Sequence, residues 1–279
     1  MIWKLIFNVA KFMKECKEDK INAYAAQSAF FILLAIIPFL MVFLSLLKYT
    51  PITESMLLEM YEVGLPGYIS PFFISITDEI YTRSFGITAV SAVVAIWSAA
   101  KGMYALTDGL NAVNDLEESR NWFVLRFWSV IYTVVFMVAI VFTLVVVVFG
   151  NSIRMLAVDY LPILQELSVV LSSFRGLLLF AVLVVFFDVV FTVLPNRKIN
   201  FISQLPGALL CALSWNVISF LLSIYINYFN GFSMYGSLTT VALMMLWLYF
   251  CIYSTLMCAE FNVTFGENMK KWVNRHRKI

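Results

Sequence analysis

Few side chains able to do chemistry stand where the chain could hide them from water. Asp188, in the run FFDVVFTVLP, is the clearest, because an ionisable group at bilayer depth costs about 2.5 to 3.5 kcal/mol even on insertion scales. Two readings of it stand: a proton or ion site, or a carboxylate paired with a Lys, Tyr or Asn at the membrane lip, the second carrying more weight. Asn216, beside Trp215, and Gln27, beside Ser28, are uncharged groups in apolar runs, fit for bonds between helices. With Asp188 they make a candidate intramembrane polar site. Lys101 and Glu260 bound a candidate cytoplasmic vestibule, with snorkelling or ion pairing as the simpler account of both.

Enzyme chemistry has little to work with. The only histidine, His276, lies in the basic tail KKWVNRHRKI, and the four cysteines (Cys16, Cys211, Cys251, Cys258) are too few for a zinc or haem site of the usual kind. Three of them fall in apolar runs and read as small buried hydrophobes. No phosphate-binding glycine loop, dinucleotide fingerprint, zinc-protease helix or nucleophile elbow occurs. The expectation is a non-enzyme with no catalytic residue, cofactor or metal. The tail is basic enough to meet nucleic acid, but topology already accounts for its charge, so no nucleic-acid partner is expected.

The elements that must position these residues are membrane helices. The chain has 279 residues, 62% hydrophobic and 13% charged, with 26 Phe, 13 Tyr and 7 Trp and a mean hydropathy of +0.89; soluble domains carry about 25% charge. That excludes a soluble or disordered chain. Six stretches reach the length of about 20 residues that a bilayer core takes: approximately 25–47, 86–103, 128–150, 176–194, 206–226 and 239–260. Runs such as VVFMVAIVFTLVVVVFG are apolar on every face, which a β-barrel strand is not. The expected fold is therefore an all-α integral membrane protein, six transmembrane helices with amphipathic interfacial helices, forming a single membrane domain over 1–279.

Basic residues set the orientation. With the N-terminus inside, fifteen of the nineteen Lys and Arg fall on the cytoplasmic side, leaving Lys48, Arg83, Arg154 and Arg175 outside. Both termini are thus expected in the cytoplasm. The arm 1–20 places Lys4, Asn8, Lys11, Glu15 and Glu18 on one helical stripe and reads as an interfacial helix, lipid-bound or packed beneath the bundle. The segments 50–84 and 151–175 are too apolar for free loops and read as external caps broken at LPGYISP and Pro162. Residues 261–279 form a basic cytoplasmic tail. Ser91, Ala95 and Ala99, then Ser98 and Gly102, give small residues at four-residue spacing, so that face should be buried against another helix. Pro38 is expected to bend the first span.

Five pieces in register, AYAAQSAFFILLAIIPFLMVFLSLL, IWSAAKGMYALTDGLNAVND, LPGALLCALSW, YGSLTTVALMMLWLY and CAEFN, resemble the YihY/BrkB family of bacterial membrane proteins. Cys258 stands where that family typically has Gly, leaving Glu260 and Asn262 in place. The resemblance implies a bacterial inner-membrane protein. Members have carried a ribonuclease label, a link to serum resistance and proposed roles in moving lipids or other envelope molecules; the first finds no nucleophile, base or metal cluster in these residues. The leading functional expectation is a transporter, or transport-assisting protein, for a lipid-like or amphipathic envelope molecule. The alternatives are an ion-coupled small-solute transporter and a non-transporting scaffold for envelope machinery. Membrane lipids are the expected partners, with envelope proteins besides.

Overall fold

A computed structural model describes residues 2–47, 85–135, 175–197, 199–228 and 237–276, with six isolated positions between 55 and 78. These residues fold into seven helices: α1 (Ile2–Glu18), α2 (Ile21–Leu47), α3 (Phe85–Val113), α4 (Trp122–Val135), α5 (Arg175–Val193), α6 (Phe201–Tyr228) and α7 (Ser237–His276). No strand occurs among them. Apart from those six positions, the expected external caps, and the later part of the span expected over 128–150, lie outside the described residues.

Three helices carry stretches long and apolar enough to cross a bilayer: Val90–Val113 in α3, Phe201–Ile226 in α6 and Val241–Thr264 in α7. Shorter apolar stretches, Ile21–Ile36, Trp122–Val135 and Leu179–Val193, lie in α2, α4 and α5. Each of the six expected spans meets one of these stretches, and three of them reach spanning length. The surface matches a lipid solvent: Val93, Phe123, Val185, Ile202 and Phe220 are each more than 60% exposed, an outward apolar display that water would penalise. The protein is a helical membrane protein.

Helix ends have local causes. α1 stops where Lys20 takes a left-handed φ of 53°, and α2 restarts one residue later. α3 runs past Met103, the expected end of its span, because GMYALTDGLNAV holds no proline and its two glycines sit at close contacts with neighbouring helices. It stops at Asp115, whose φ is 52°, where the Leu116 N–H donates to the Asn111 carbonyl at 2.9 Å in a helix C-cap. Val193 ends α5 because Pro195 follows and bars Leu194 from helical geometry. Pro38 sits inside α2 without ending it.

Small residues let α2 and α3 approach closely. A Cβ on Gly102 would stand 2.8 Å from Ile32 Cγ1 and 3.2 Å from the Ser28 carbonyl oxygen; one on Gly109 would meet Tyr24 and Leu256. Of the residues at four-residue spacing, Ala95, Ala99 and Gly102 are buried and Ser91 and Ser98 half-buried, with Ala100 and Ala105 buried besides. The core continues through Ile21 and Leu110 to Phe187 and Phe191 of α5 and Leu256 of α7.

Candidate functional site

Of the three residues expected to make an intramembrane polar site, Asp188 is buried while Asn216 and Gln27 are exposed. Asp188 is buried at 7% exposure, with Phe187 beside it buried and Val189 turned outward, so its carboxyl faces protein. Its Oδ1 has no hydrogen-bond partner, and neither has Thr192 Oγ1 one turn along α5, nor Ser28 Oγ on α2. The pairing expected for Asp188 is therefore absent at that oxygen. Asn216 donates to the Ala212 carbonyl of its own helix at 2.8 Å rather than across a helix pair.

The cross-helix work in α6 falls to the neighbour of Asn216. Trp215 Nε1 donates to the Cys251 carbonyl at 2.9 Å and to Thr255 Oγ1 at 3.0 Å, tying α6 to α7. Its ring stands edge-on to Phe187 at 5.0 Å and to Trp247 at 6.0 Å, so α5, α6 and α7 share one aromatic centre. Two to three turns nearer the start of α6, Asn262 of α7 accepts from the Gly207 N–H at 2.7 Å and donates to the Gln204 carbonyl and Oε1 at 3.0 and 2.8 Å. Gly207 and Asn262 lie within the family-like pieces LPGALLCALSW and CAEFN, and Gln204 immediately precedes the first. A glycine is needed there because any Cβ would overlap the Asn262 amide.

A second polar cluster closes the ends of α3 and α5. Asn111 Nδ2 donates to Glu118 Oε2 at 2.8 Å, while Asn111 Oδ1 accepts from the Asn196 N–H at 2.8 Å. Arg120 holds Glu118 bidentately at 2.7 and 2.6 Å, and that hydrogen-bonded guanidinium keeps the Glu118 carboxyl below the usual carboxylate range. Asn196 Nδ2 donates to Ser119 Oγ at 2.9 Å, joining the loop after α3 to the turn after α5.

Lys101 and Glu260 stand in different surroundings. Glu260 is 4% exposed and accepts from Thr264 Oγ1 at 3.2 Å. Burial first, and then the charge of Asp115, push the Asp19 carboxyl above its usual range. Cys16 lies nearby, and burial pushes its thiol up to about 12, which leaves it inert as a nucleophile. Lys101 lies inside α3, not at its end: twelve residues, about 18 Å of helix rise, separate it from Val113. Its Nζ stands 5.1 Å from the centre of the Phe31 ring and 6.0 Å from that of Trp97. Arg126 of α4 covers the same indole, its Cζ 4.3 Å from the centroid, and its Nη2 donates to the Trp97 carbonyl at 3.2 Å. Arg126 Nε is shut off from solvent with no hydrogen-bond partner. The ion pairs among the described residues, Lys11–Glu15, Lys14–Glu18 and Arg120–Glu118, involve neither cation.

Among the described residues no three His, Cys, Asp or Glu side chains are grouped to hold a metal ion. The arrangement offers two things: a buried carboxyl with a neighbouring free hydroxyl, and two cations flanking an exposed tryptophan. Sequence reading missed Arg126 because it falls just before the expected span at 128, where a basic residue looks like an ordinary cytoplasmic flank. Trp97, four residues before Lys101, was the available signal.

The model of the family described as virulence factor BrkB matches residues 12–278. A ribonuclease-like protein of Bacillus subtilis, YfkH, is 29% identical over 88% of this chain and 90% of its own length. UPF0761 membrane proteins of Alteromonas mediterranea and Vibrio parahaemolyticus are 23% and 27% identical, over 96% and 91% of this chain and 91% and 81% of theirs. No solved structure matches. With a family match running over nearly its whole length, the chain belongs to the BrkB family of membrane proteins.

Proposed function

We propose that this protein is a six-span inner-membrane protein, both termini in the cytoplasm, that moves or helps move a lipid-like or amphipathic envelope molecule without catalysing a reaction on it. The observation that carries the reading is where the unneutralised charge lies. Lys101 and Arg126 sit beside Trp97, which is 54% exposed on the apolar outside of the helix bundle. Between α6 and α7, by contrast, the polar groups Trp215, Thr255, Gln204 and Asn262 bond to one another and leave little for a polar solute. A charge displayed to the bilayer suits a substrate that travels with its chains in lipid. The ribonuclease-like name belongs to the Bacillus relative, and nothing in this site supports bringing it to this chain.

A second reading, ion-coupled transport, draws on Asp188 Oδ1 and Thr192 Oγ1, buried and unpartnered one turn apart. Reconstitution into vesicles with a reporter lipid in one leaflet and a pH dye inside separates the two. Faster lipid exchange between leaflets with no proton flux is expected. Proton flux without lipid movement would replace the first reading by the second, and neither activity would leave a scaffold. Reporter fusions at Ile279 and Gly67 should report opposite sides of the membrane; the same side for both would overturn the topology.

A further inference from the structure

We infer that Lys101, Arg126 and Trp97 form a binding site for the phosphate of an anionic glycerophospholipid on the outer flank of α3 and α4. The inference rests on the lipid-like reading above and names the substrate class. Lys101 stands inside the candidate span Val90–Val113, and Arg126 inside the apolar stretch of α4. Two cations there are costly on their own, and ring faces repay only part of that, about 0.5 to 2 kcal/mol per contact. Both cations approach one indole, so Nζ and Cζ are no more than about 10 Å apart. A phosphate bridging the two would accept hydrogen bonds of about 2.8 Å from each. Arg126 keeps donors in reserve at the tip of its guanidinium: Nη2 spends one hydrogen on the Trp97 carbonyl and Nε is shut off from solvent, which leaves Nη1 and the second Nη2 hydrogen.

The surroundings select a lipid over free phosphate. Val93 and Val94, near Trp97 on α3, are 68% and 45% exposed; Phe123 and Phe127, on the face of α4 that carries Arg126, are 74% and 64% exposed. These apolar side chains suit acyl chains and offer a hydrated inorganic ion nothing. The two positive charges favour a headgroup of net negative charge over a zwitterionic one, whose own ammonium would stand among like charges. At about 1 kcal/mol per basic residue, the preference is roughly thirtyfold, and either cation alone accounts for about fivefold.

Brominated acyl chains quench nearby tryptophan, and subtracting the signal of Trp97→Phe isolates this ring from the other six. The purified full chain in mixed micelles is titrated with brominated phosphatidylglycerol and, separately, with phosphatidylcholine bearing the same chains. Quenching of Trp97 is expected at roughly thirtyfold lower phosphatidylglycerol. Lys101→Gln and Arg126→Gln should each weaken the phosphatidylglycerol response about fivefold and leave phosphatidylcholine unchanged, with helix content by circular dichroism as the folding control. Should Arg126→Gln not fold, Arg126→Lys, which must keep the preference, and Lys101→Gln carry the test. Equal response to both lipids, or an unaltered preference in folded Lys101→Gln, overturns the site. Displacement of phosphatidylglycerol by millimolar inorganic phosphate overturns the lipid assignment. Selective quenching without leaflet exchange would refute the transport reading and leave this site standing; exchange blind to headgroup, with equal quenching, would do the reverse.

Discussion

Replacing Gly207 with alanine puts a methyl group where the Asn262 amide already sits, since an ideal Cβ there overlaps Nδ2, Cγ and Oδ1 together. Two effects compete. Alanine favours a helix interior over glycine by about 1 kcal/mol, which would stabilise α6. Against it, overpacking costs about 1 to 3 kcal/mol. Moving Asn262 aside also breaks its bond from the Gly207 N–H and its two to Gln204, leaving a buried donor unpaired at about 1 to 3 kcal/mol. The steric and polar losses win, for a net destabilisation of about 3 kcal/mol. The cause is specific, so it can be separated from a general intolerance of α6. Once Asn262→Ala has cleared the space, Gly207→Ala should cost nothing or stabilise by up to about 1 kcal/mol, giving a coupling of about 3 kcal/mol. Unfolding of the purified protein by SDS titration, on the two single variants and the double variant, measures that coupling. If Gly207→Ala costs the same with and without Asn262, or is harmless in the native background, the lock between α6 and α7 is not what holds this glycine in place.

Asp188→Asn should keep its fold and membrane level, with thermal stability in detergent at or above that of the native chain, because Oδ1 has no partner to lose; a drop of about 3 kcal/mol or more, as when a paired buried charge is stripped of its partner, would show a hidden ion pair. Asp19, raised by burial and by Asp115, opposes folding when ionised, so native stability should climb as pH falls through its raised value toward the ordinary carboxylate range. Asp19→Asn should accordingly be more stable than the native chain at neutral pH, with the gap closing in acid; a constant gap across a melting series in pH would count against it. Glu118, lowered by its hydrogen bonds from Arg120, works with the opposite sign: its contribution is complete above the ordinary carboxylate value and is lost as pH falls through the depressed one. Glu118→Gln should cost about 1.5 to 3 kcal/mol at neutral pH and remove that acid-dependent loss, which the same series reads out.

The sequence by itself was enough for a helical membrane protein of this family. Apolar runs and charge fraction are properties of the chain that no packing can reverse, and the lipid solvent admits few ways to satisfy a backbone. Spacing alone also marked the buried face of α3, since Ala95, Ala99 and Gly102 repeat at the helix period wherever their partner lies. Which polar residue faces what was decided only by the tertiary structure. Asn216 and Trp215 are neighbours in sequence, yet a helix turns 100° per residue, so one bonds its own backbone while the other ties α6 to α7. Lys101 marked the end of a span on charge grounds, but Phe31 and Trp97 supply ring faces that let α3 carry it on to Val113. Arg126 and Trp97 are twenty-nine residues apart along the chain, and Asn262 and Gly207 fifty-five. Hydropathy and periodicity sum over neighbours in sequence, and contacts at such separations exist only once the helices have packed.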